Sequence, residues 1–239
     1  MQLIDFSADT PELNLALDEA LLLSAENGTG GESLRFWSSD TPFVVLGYSG
    51  AAVSDVDLEA CRQDGIPVLR RYSGGGTVVQ GPGCLNYNLV LRIDRSPEFS
   101  TITGTTRTIL SRHAAALSDL LHGTVLPAGQ SDLTLGGRKF SGNAQRRLVS
   151  YLAFHGTLML HLDVSLLSRY LRMPDRQPAY RQRRSHSDFV ANLPLEEDQV
   201  KSLLASSWGA TGRRHVPALP LARDLVNSRY ARPEWNRKR

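Results

Sequence analysis

Three consecutive glycines at residues 74–76 follow Arg71 and Ser73 in "RRYSGGGTVVQGPG", between two segments typical of strands. Consecutive glycines leave their backbone N–H groups unshielded, so these groups can converge on an anion. Arg70 and Arg71 point to opposite faces of their strand, so only one of them can reach that anion. Arg71 is the nearer in sequence, and its guanidinium suits phosphate or carboxylate. The alternative is that the glycines only make the loop flexible. The combination of arginine, serine and three glycines favours an anion site.

A second stretch that could carry chemistry is "GGRKFSGNAQ" at residues 136–145. On a strand, Arg138 and Phe140 face one side, while Lys139 and Ser141 face the other. A lysine that faces inward is costly unless it meets a negative charge. On these residues alone, the pattern therefore favours Phe140 in the core and Lys139 in solvent.

Neither stretch has the spacing of the common nucleotide-binding loops. A Walker loop requires Gly-x4-Gly-Lys-Ser/Thr, and the sequence contains no such run. A Rossmann fingerprint opens a helix after a strand, whereas "SGGGTVVQGPG" opens a second strand. The folds with the commonest phosphate loops are therefore disfavoured.

Composition limits the class of protein. The 239 residues are 41% hydrophobic, which is enough for a buried core. A net charge of +3 is too small for a dedicated nucleic-acid binder, and no apolar run of about 18 residues predicts a membrane span. The N-terminus lacks the basic region of a secretory signal. With Cys61 and Cys84 as its only cysteines, the sequence predicts a reducing, cytoplasmic location.

Apolar periodicity predicts one domain with a mixed sheet and several helices. Leucine and alanine recur with helical spacing over residues 13–23 and 105–121, and residues 85–91 alternate as a partly buried strand does. Residues 132–141 are typical of a hairpin around two glycines. The glycine-rich turn at residues 74–76 is predicted to join two antiparallel neighbours.

Several motifs together resemble the lipoate–protein ligase and octanoyltransferase family, which is related in fold to biotin–protein ligases and class II aminoacyl-tRNA synthetases. The motifs are "NLALDEALL", "LRFWSSDTPFVVLGYSG", "RRYSGGGTVVQGPGCLNYNL", "SDLTLGGRKFSGNA", "HGTLML" and "YARPEWNRKR". The resemblance spans nearly the whole chain. It implies an α+β fold, with a mixed, mainly antiparallel central sheet flanked by helices. Because "YARPEWNRKR" matches the close of the family's catalytic domain, we expect a single catalytic domain over residues 1–239. The C-terminal accessory domain that several ligases carry is not expected, which is a departure from those ligases.

The same resemblance implies a reaction. ATP and Mg²⁺ would activate lipoate or octanoate to an acyl-adenylate, and the acyl group would pass to a lysine of a carrier domain. Lys139 matches the family's key lysine, which would place its ammonium between the acyl carbonyl and the phosphate, as in an oxyanion hole. This implication overrides the solvent-facing interpretation of Lys139. Asp132 is the candidate ligand for the metal.

The remaining implied site residues divide into two groups. The adenylate would be lined by Arg71, Ser73, Gly74, Gly75, Gly76, Thr77, Val78, Asn143, Ala144, His155, Gly156 and Thr157. The apolar acyl slot has as candidates Leu46, Tyr48, Tyr72 and Val78, each equally plausible as plain core.

Two other functions stay open on the sequence. Some family members use no ATP and move octanoyl through a cysteine thioester. This chain has no cysteine after Cys84, which favours adenylation, yet Cys84 itself could act as the nucleophile with His155 as its base. The alternative is that Cys84 is a small buried residue. A carrier-binding protein without turnover is a third interpretation, whereas biotin ligation is disfavoured because the loop lacks a Gly-Arg-Gly-Arg pattern.

Partners are predicted from charge and from the resemblance. Residues 169–184 carry six arginines and one acid, which is typical of a solvated surface or of a docking patch for an acidic partner. Acidic lipoyl carrier domains, of the 2-oxoacid dehydrogenase E2 or glycine cleavage H protein type, would fit such a patch. A separate accessory subunit is a further alternative. His186 and Asp188 could form a catalytic pair, but a structural role is favoured.

Overall fold

A computed structural model describes residues 1–175, 177–212, 216 and 218–238 of the chain. Its strands are β1 (Gln2–Asp5), β2 (Ser33–Trp37), β3 (Phe43–Leu46), β4 (Val68–Arg70), β5 (Val78–Gln80), β6 (Cys84–Arg92), β7 (Val125–Ala128), β8 (Asp132–Leu135), β9 (Arg138–Arg147), β10 (Tyr151–Met159) and β11 (Thr211–Gly212). Its α-helices are α1 (Pro11–Glu26), α2 (Ala52–Asp55), α3 (Leu58–Gln63), α4 (Ile102–Leu121), α5 (Ser165–Tyr170), α6 (His186–Phe189), α7 (Glu197–Trp208), α8 (Leu219–Leu225) and α9 (Pro233–Asn236). Short 3₁₀ turns occupy Ile93–Arg95, Pro97–Ser100 and Ala179–Arg181, and a π-helical turn, Val226–Tyr230, extends α8.

The main sheet has the strand order β11-β1-β2-β6-β10-β9-β8-β7. Pairing is parallel between β1 and its neighbours β11 and β2 and antiparallel elsewhere. The predicted mixed, mainly antiparallel sheet flanked by helices is therefore confirmed. The predicted hairpin is confirmed too, since Leu135 pairs with Arg138 across Gly136 and Gly137, whose φ angles of 57° and 74° suit glycine.

Helices cover both faces of the main sheet. The alternation predicted for β6 holds: Leu85, Tyr87, Leu89 and Leu91 pack with residues of α4 and α7 on one face. On the other face, Val90 packs with α1 and α8. Helix α1 contains the predicted apolar positions 13–23 and begins at Pro11, with Thr10 Oγ1 accepting from the Leu13 amide at 3.3 Å. These two cores fix the sheet, and with it the side chains that β6, β9 and β10 present to the second face.

A second, smaller sheet has the order β4-β3-β5, and it corrects the prediction for the glycine-rich turn. The turn leads from β4 to β5, which run in opposite directions, but β3 lies between them and pairs with both. The glycine loop therefore crosses the end of β3 instead of closing a hairpin. The motif "LRFWSSDTPFVVLGYSG" likewise divides between the sheets, because β2 joins the main sheet and β3 the smaller one.

Strand β9 contains a β-bulge directly after Lys139. Thr134 pairs with Lys139 and Leu133 with Ser141, so Phe140 is an extra residue in the ladder. Both Phe140 and Ser141 are consequently buried, whereas Lys139 is partly exposed. The strict alternation expected for residues 138–141 is interrupted, and Lys139 is released to reach across the sheet.

Arg70, the last residue of β4 and the neighbour of Arg71, is fully buried and holds the turn at residues 235–236. Its guanidinium donates to the carbonyls of Gly47 and Gly50 at 2.8 and 2.7 Å, and to those of Trp235 and Asn236 at 3.1 and 3.2 Å. Arg70 is therefore structural, as expected if only one of the two neighbouring arginines serves the anion. Among the described helices, none has both the length and the apolar character needed to cross a bilayer.

Candidate active site

A cavity of about 1130 Å³ lies between the second face of the main sheet and the smaller sheet. Both chemical stretches of the sequence reach it. Of the predicted site residues, those lining it are Arg71, Gly75, Gly76, Thr77, Val78, Asp132, Lys139, Asn143, Ala144, His155, Gly156 and Thr157. Ser73, Gly74 and Cys84 are not part of its wall.

Arg71 organises the glycine loop from the inside. Its Nη2 donates to the carbonyls of Gly74 and Gly76 at 2.6 and 2.9 Å, and its Nε donates to Ser73 Oγ at 3.2 Å. Its Nη1 donates to the carbonyl of Val45 at 3.4 Å. Burial lowers the Arg71 pKa to about 10, so the guanidinium is still charged at neutral pH. The sequence predicted a fork aimed at a ligand, whereas most of this fork holds loop carbonyls.

The amides of the glycine loop are the groups left over. Within the described part of the chain, no hydrogen bond leads from the N–H of residues 74–76 to another group. Gly75 has φ +91°, and a Cβ atom there would lie 2.8 Å from Arg71 Nη2. At Gly47, a Cβ atom would lie 2.0 Å from the Gly75 carbonyl oxygen. Glycine is therefore required at positions 47 and 75, whereas a Cβ atom at Gly74 or Gly76 would meet nothing within 4 Å. The N–H groups of the loop can serve an anion.

His155, in the middle of β10, is a neutral partner of Ser73. Its Nε2 lies 2.5 Å from Ser73 Oγ, and its ring stacks on Tyr72 with centroids 5.7 Å apart. Burial, reinforced by the nearby charge of Arg71, lowers the His155 pKa to about 3. The Ser73 hydroxyl accepts from Arg71 Nε and can at the same time donate its proton to the Nε2 of a neutral His155. His155 thus orients Ser73 and the start of the loop without adding charge.

Lys139 stands at the opposite wall in an ion pair. Its Nζ lies 2.7 Å from Asp132 Oδ1, and Tyr180 donates to Asp132 Oδ2 at 2.6 Å. A Cβ atom at Gly142 would lie 2.9 Å from Lys139 Nζ, so the side chain passes directly over this glycine. The ammonium faces the cavity. Asp132 is the negative partner that an inward-facing lysine needs.

A polar row on the sheet continues from Lys139. Asn86, Thr157 and Gly142 are successive partners across three strands. Thr157 Oγ1 donates to Asn86 Oδ1 at 2.6 Å and accepts from Gln80 Nε2 at 2.5 Å. Gln80 Oε1 and Asn86 Nδ2 are buried without a partner among the described residues. Sequence reasoning missed Gln80, Asn86 and Gly142, although the alternation of β6 had placed Asn86 opposite the leucine face.

Asn143 and Thr77 line the cavity, and their side chains are hydrogen-bonded to other parts of the protein. Asn143 Oδ1 accepts from the Tyr87 hydroxyl at 2.6 Å, and its Nδ2 donates to the Ser131 carbonyl at 2.7 Å. Thr77 Oγ1 donates to Asp55 Oδ2 at 2.7 Å, which ties the glycine loop to α2. A Cβ atom at Gly156 would lie 1.8 Å from Asn143 Oδ1. These predicted residues fix the shape of the cavity more than they offer free polar groups.

Cys84 lies away from the cavity, which argues against it as a nucleophile. It is 1% exposed and packs in the core beneath the smaller sheet. Burial raises its thiol pKa to about 12, so the reactive thiolate is scarce at neutral pH. On the β6–β10 ladder Cys84 pairs with Met159, whereas His155 pairs with Asn88, four residues or about 13 Å along the strand. The proposed base is therefore out of reach.

Asp132 is less suited to a metal than the sequence suggested, because both its carboxylate oxygens already accept protein donors. Among the described residues, no three His, Cys, Asp or Glu side chains cluster as a metal site. The acyl-slot candidates divide: Tyr72 and Val78 line the cavity, Leu46 and Tyr48 do not. Leu15, Trp37 and Val45 complete the apolar end instead.

The arginine-rich segment and its neighbours form another wall. Arg181 is 5% exposed, and Arg181 and Arg184 lie over the ring of Phe189. Arg169 forms a surface pair with Asp64 at 2.5 Å, and Arg172 lines the cavity. Arg176 lies outside the described residues. The segment is thus partly structural, and neither a plain solvated face nor a continuous docking patch describes it.

His186 and Asp188, which could form a catalytic pair on the sequence, do not both face the cavity. His186 lines the cavity, and burial lowers its pKa. Asp188 instead accepts from Ser185 Oγ at 2.5 Å, at the exposed start of α6. The favoured structural interpretation of Asp188 fits this placement.

Comparisons with known proteins agree with the geometry. Lipoate-protein ligase A subunit 1 of Thermoplasma acidophilum is 29% identical over 246 residues, covering 94% of this chain and 91% of that protein. Octanoyltransferase LipM of Symbiobacterium thermophilum is 28% identical, covering 95% of this chain and 94% of that protein. The crystal structure of a lipoate-protein ligase A bound with ATP superposes with a TM-score of 0.84 at 26% identity, covering 99% of this chain and 98% of that one. Residues 10–203 match the family model described as the lipoyl protein ligase A/B catalytic domain, and the chain belongs to this family.

Proposed function

We propose that this protein is an ATP-dependent lipoate–protein ligase that forms an acyl-adenylate. One observation carries the choice over a thioester mechanism: neither of its two cysteines lines the cavity, and both are buried. The groups that do face the cavity are a lysine ammonium and the unshielded amides of a glycine loop. Such groups stabilise developing negative charge and need no nucleophile from the protein.

In the first step, a carboxylate oxygen of lipoate attacks the α-phosphorus of ATP, and the bond to the β-phosphate breaks with release of pyrophosphate. Two anions must approach each other, so cationic and N–H groups have to screen them. Lys139 would lie between the acyl carbonyl and the α-phosphate, and the amides of residues 74–76 would bind phosphate oxygens. Arg71 stays engaged with the loop carbonyls and keeps those amides in place.

In the second step, the amine of a carrier lysine attacks the acyl carbon, AMP leaves, and the amine loses a proton. The same lysine and amides would stabilise the oxyanion and the departing phosphate. The neutral state of His155 matters here, because a second cation beside Arg71 would be costly in this buried corner. Mg²⁺ would accompany the ATP phosphates, since in such sites it is held by substrate phosphates, several waters and only one or two carboxylates.

The apolar end of the cavity supports a fatty-acid-like substrate. Leu15, Trp37, Val45 and Tyr72 present carbon surface there, and burying each methylene contributes about 0.8 kcal/mol. Lipoate and octanoate both carry such a chain. The acceptor would be an acidic lipoyl carrier domain, and the name of the Thermoplasma relative, subunit 1, supports testing for an accessory subunit.

An ATP-independent octanoyltransferase is the second candidate, supported by the 28% identity to LipM over nearly the whole chain. The two functions are separated by a pyrophosphate-release assay with lipoate and octanoate side by side, with and without a lipoyl domain. A ligase releases pyrophosphate only when acid and ATP are both present, and the acyl-AMP is detected by mass spectrometry.

Two variants complete the assay. Lys139→Ala should abolish most of the pyrophosphate release. Lys201→Ala, which removes two ion pairs, one with Asp5 of β1 and one with Glu197 of α7, should leave it unchanged. Transfer of octanoyl from an acyl carrier protein without ATP, together with no pyrophosphate release, would overturn the ligase assignment.

A further inference from the structure

We propose that Asp132 is a positioning residue for Lys139, and that Tyr180 couples this positioning to the arginine-rich segment. The proposal rests on the ligase function above only for its kinetic consequences. The geometric part concerns a single ion pair, Lys139 Nζ to Asp132 Oδ1 at 2.7 Å, with Tyr180 behind the carboxylate.

The pairing of β8 with β9 brings the two charges together, although Asp132 and Lys139 are not direct partners in the ladder. Asp132 pairs with Gly142, and the extra residue Phe140 shifts Lys139 out of the regular ladder. The lysine side chain then runs back over Gly142, where a Cβ atom would lie 2.9 Å from Nζ and 3.0 Å from Cε. Strand register, bulge and glycine together open this path for the side chain, and the path ends at Asp132.

Asp132 is itself held in place. It is 9% exposed, and its second oxygen accepts from the Tyr180 hydroxyl at 2.6 Å. Burial and this hydrogen bond raise the Tyr180 pKa above its usual value, so the hydroxyl keeps its proton and acts as donor. A carboxylate with one oxygen on a tyrosine and the other on an ammonium cannot rotate freely. The ammonium therefore has a fixed position, which electrostatic catalysis requires.

Tyr180 belongs to the arginine-rich segment, residues 169–184, which also forms a hydrogen bond with the hairpin that carries Lys139. Arg184 donates to the Tyr180 carbonyl at 2.9 Å and to the Gly137 carbonyl, in the hairpin turn, at 3.2 Å. The amide of Ala191 donates to the Lys139 carbonyl at 2.9 Å. The segment that walls the cavity is thus attached to the lysine hairpin at its turn, its backbone and its carboxylate. The seated segment therefore supplies the Tyr180 hydrogen bond that holds the second oxygen of Asp132.

The chain contains a matched control for this arrangement. Asp64, outside the cavity, also bridges a cation and a tyrosine: Arg169 Nη2 donates to it at 2.8 Å and the Tyr170 hydroxyl at 2.8 Å. Asp64→Asn and Tyr170→Phe therefore remove the same chemistry without touching the site. Asp132→Asn keeps the shape of the side chain and removes its charge.

The kinetic test measures acid-dependent pyrophosphate release. Asp132→Asn should lower kcat roughly 100-fold, the loss expected when a reacting group moves by about 1 Å, with KM for lipoate changed less than about two-fold. Tyr180→Phe should give a smaller fall in kcat, and the Asp64 and Tyr170 variants none. An unchanged kcat in Asp132→Asn would overturn the proposal, as would recovery of its activity at high Mg²⁺, which would make Asp132 a metal ligand.

A second readout does not depend on the reaction. The sequence contains only three lysines, Lys139, Lys201 and Lys238, so labelling with an amine-reactive ester can be followed at each by peptide mass spectrometry. Asp132→Asn should speed labelling of Lys139 several-fold, with Lys201 as internal reference. If wild-type protein releases no pyrophosphate but Lys139 labelling responds as expected, the ligase assignment fails and the positioning role stands. Unchanged Lys139 labelling in a folded Asp132→Asn variant sinks the positioning role.

Discussion

Ser73 Oγ lies 2.5 Å from His155 Nε2, and this contact joins the residue before the glycine loop to the centre of the main sheet. The histidine is buried beside Arg71, and its pKa is lowered to about 3. The contact therefore depends on a histidine that stays neutral, which has consequences for stability as a function of pH.

The free energy of unfolding should fall as pH drops below about 6.5. His155 and His113, whose pKa burial also lowers to about 3, are neutral when folded but bind protons in the unfolded chain below about pH 6.5. The unfolded state then binds more protons, so each histidine removes up to about 1.4 kcal/mol per pH unit between about 6.5 and 3. Urea unfolding at pH 7, 6 and 5 measures this slope. His155→Gln should make this slope shallower, with His113 and His186 supplying the remainder, and an identical slope in that variant would contradict the neutral assignment.

Gly142→Ala should impair catalysis without unfolding the protein. The added methyl would meet Lys139 Nζ and Cε, the mobile end of a flexible side chain, so the lysine moves and the strand stays. We expect a loss in kcat of about 10- to 100-fold with an almost unchanged melting temperature. Gly31→Ala is the control, since a Cβ atom there meets nothing within 4 Å. Equal activity of the two variants would show that the path of Lys139 is not restricted.

Cys84→Ala should keep both partial reactions. The thiol is buried and its pKa is raised to about 12, so the substitution removes packing and no chemistry. A stability loss of about 1 kcal/mol is expected, typical of a buried point substitution. Cys61→Ala, at the other buried cysteine, provides the comparison. Loss of carrier acylation in folded Cys84→Ala, but not in Cys61→Ala, would restore the thioester mechanism.

Gln80→Leu should weaken binding of the acyl-adenylate. Gln80 Oε1 and Asn86 Nδ2 are buried at the cavity without a described partner, so a bound ligand is expected to pair with them. Leaving such a pairing unmade costs about 1–3 kcal/mol, which corresponds to a dissociation constant roughly 5- to 150-fold larger. Calorimetry with a stable sulfamate analogue of the acyl-adenylate measures this change. Gln63→Leu, at an exposed glutamine of α3, should change nothing. An unaltered affinity for Gln80→Leu would place the ligand elsewhere in the cavity.

Local signals in the sequence were sufficient where one short segment decides the outcome. Two adjacent glycines between apolar strands predicted the β8–β9 hairpin, because few other residues adopt both φ angles of its turn. Three glycines beside an arginine predicted a loop with unshielded amides. These features depend on backbone sterics within a few residues, which the sequence states directly.

Other features depend on which distant segments meet, and the sequence alone did not reveal them. Strands β3, β4 and β5 have three or four mostly buried residues each, too few to carry a pattern that selects a neighbour. The contact of Tyr180 with Asp132 spans 48 residues. The role of Arg71 was incomplete for the same reason, since loop carbonyls and ligand anions attract a guanidinium alike.

The buried guanidinium of Arg70 adds a requirement on the order of synthesis. Two of its carbonyl acceptors, at Trp235 and Asn236, lie 165 and 166 residues further along the chain. A nascent chain that still lacks them must leave this cation partly solvated, and with it the 47–50 turn that packs against the glycine loop. The glycine loop is therefore expected to acquire its final shape only after Trp235 and Asn236 have left the ribosome.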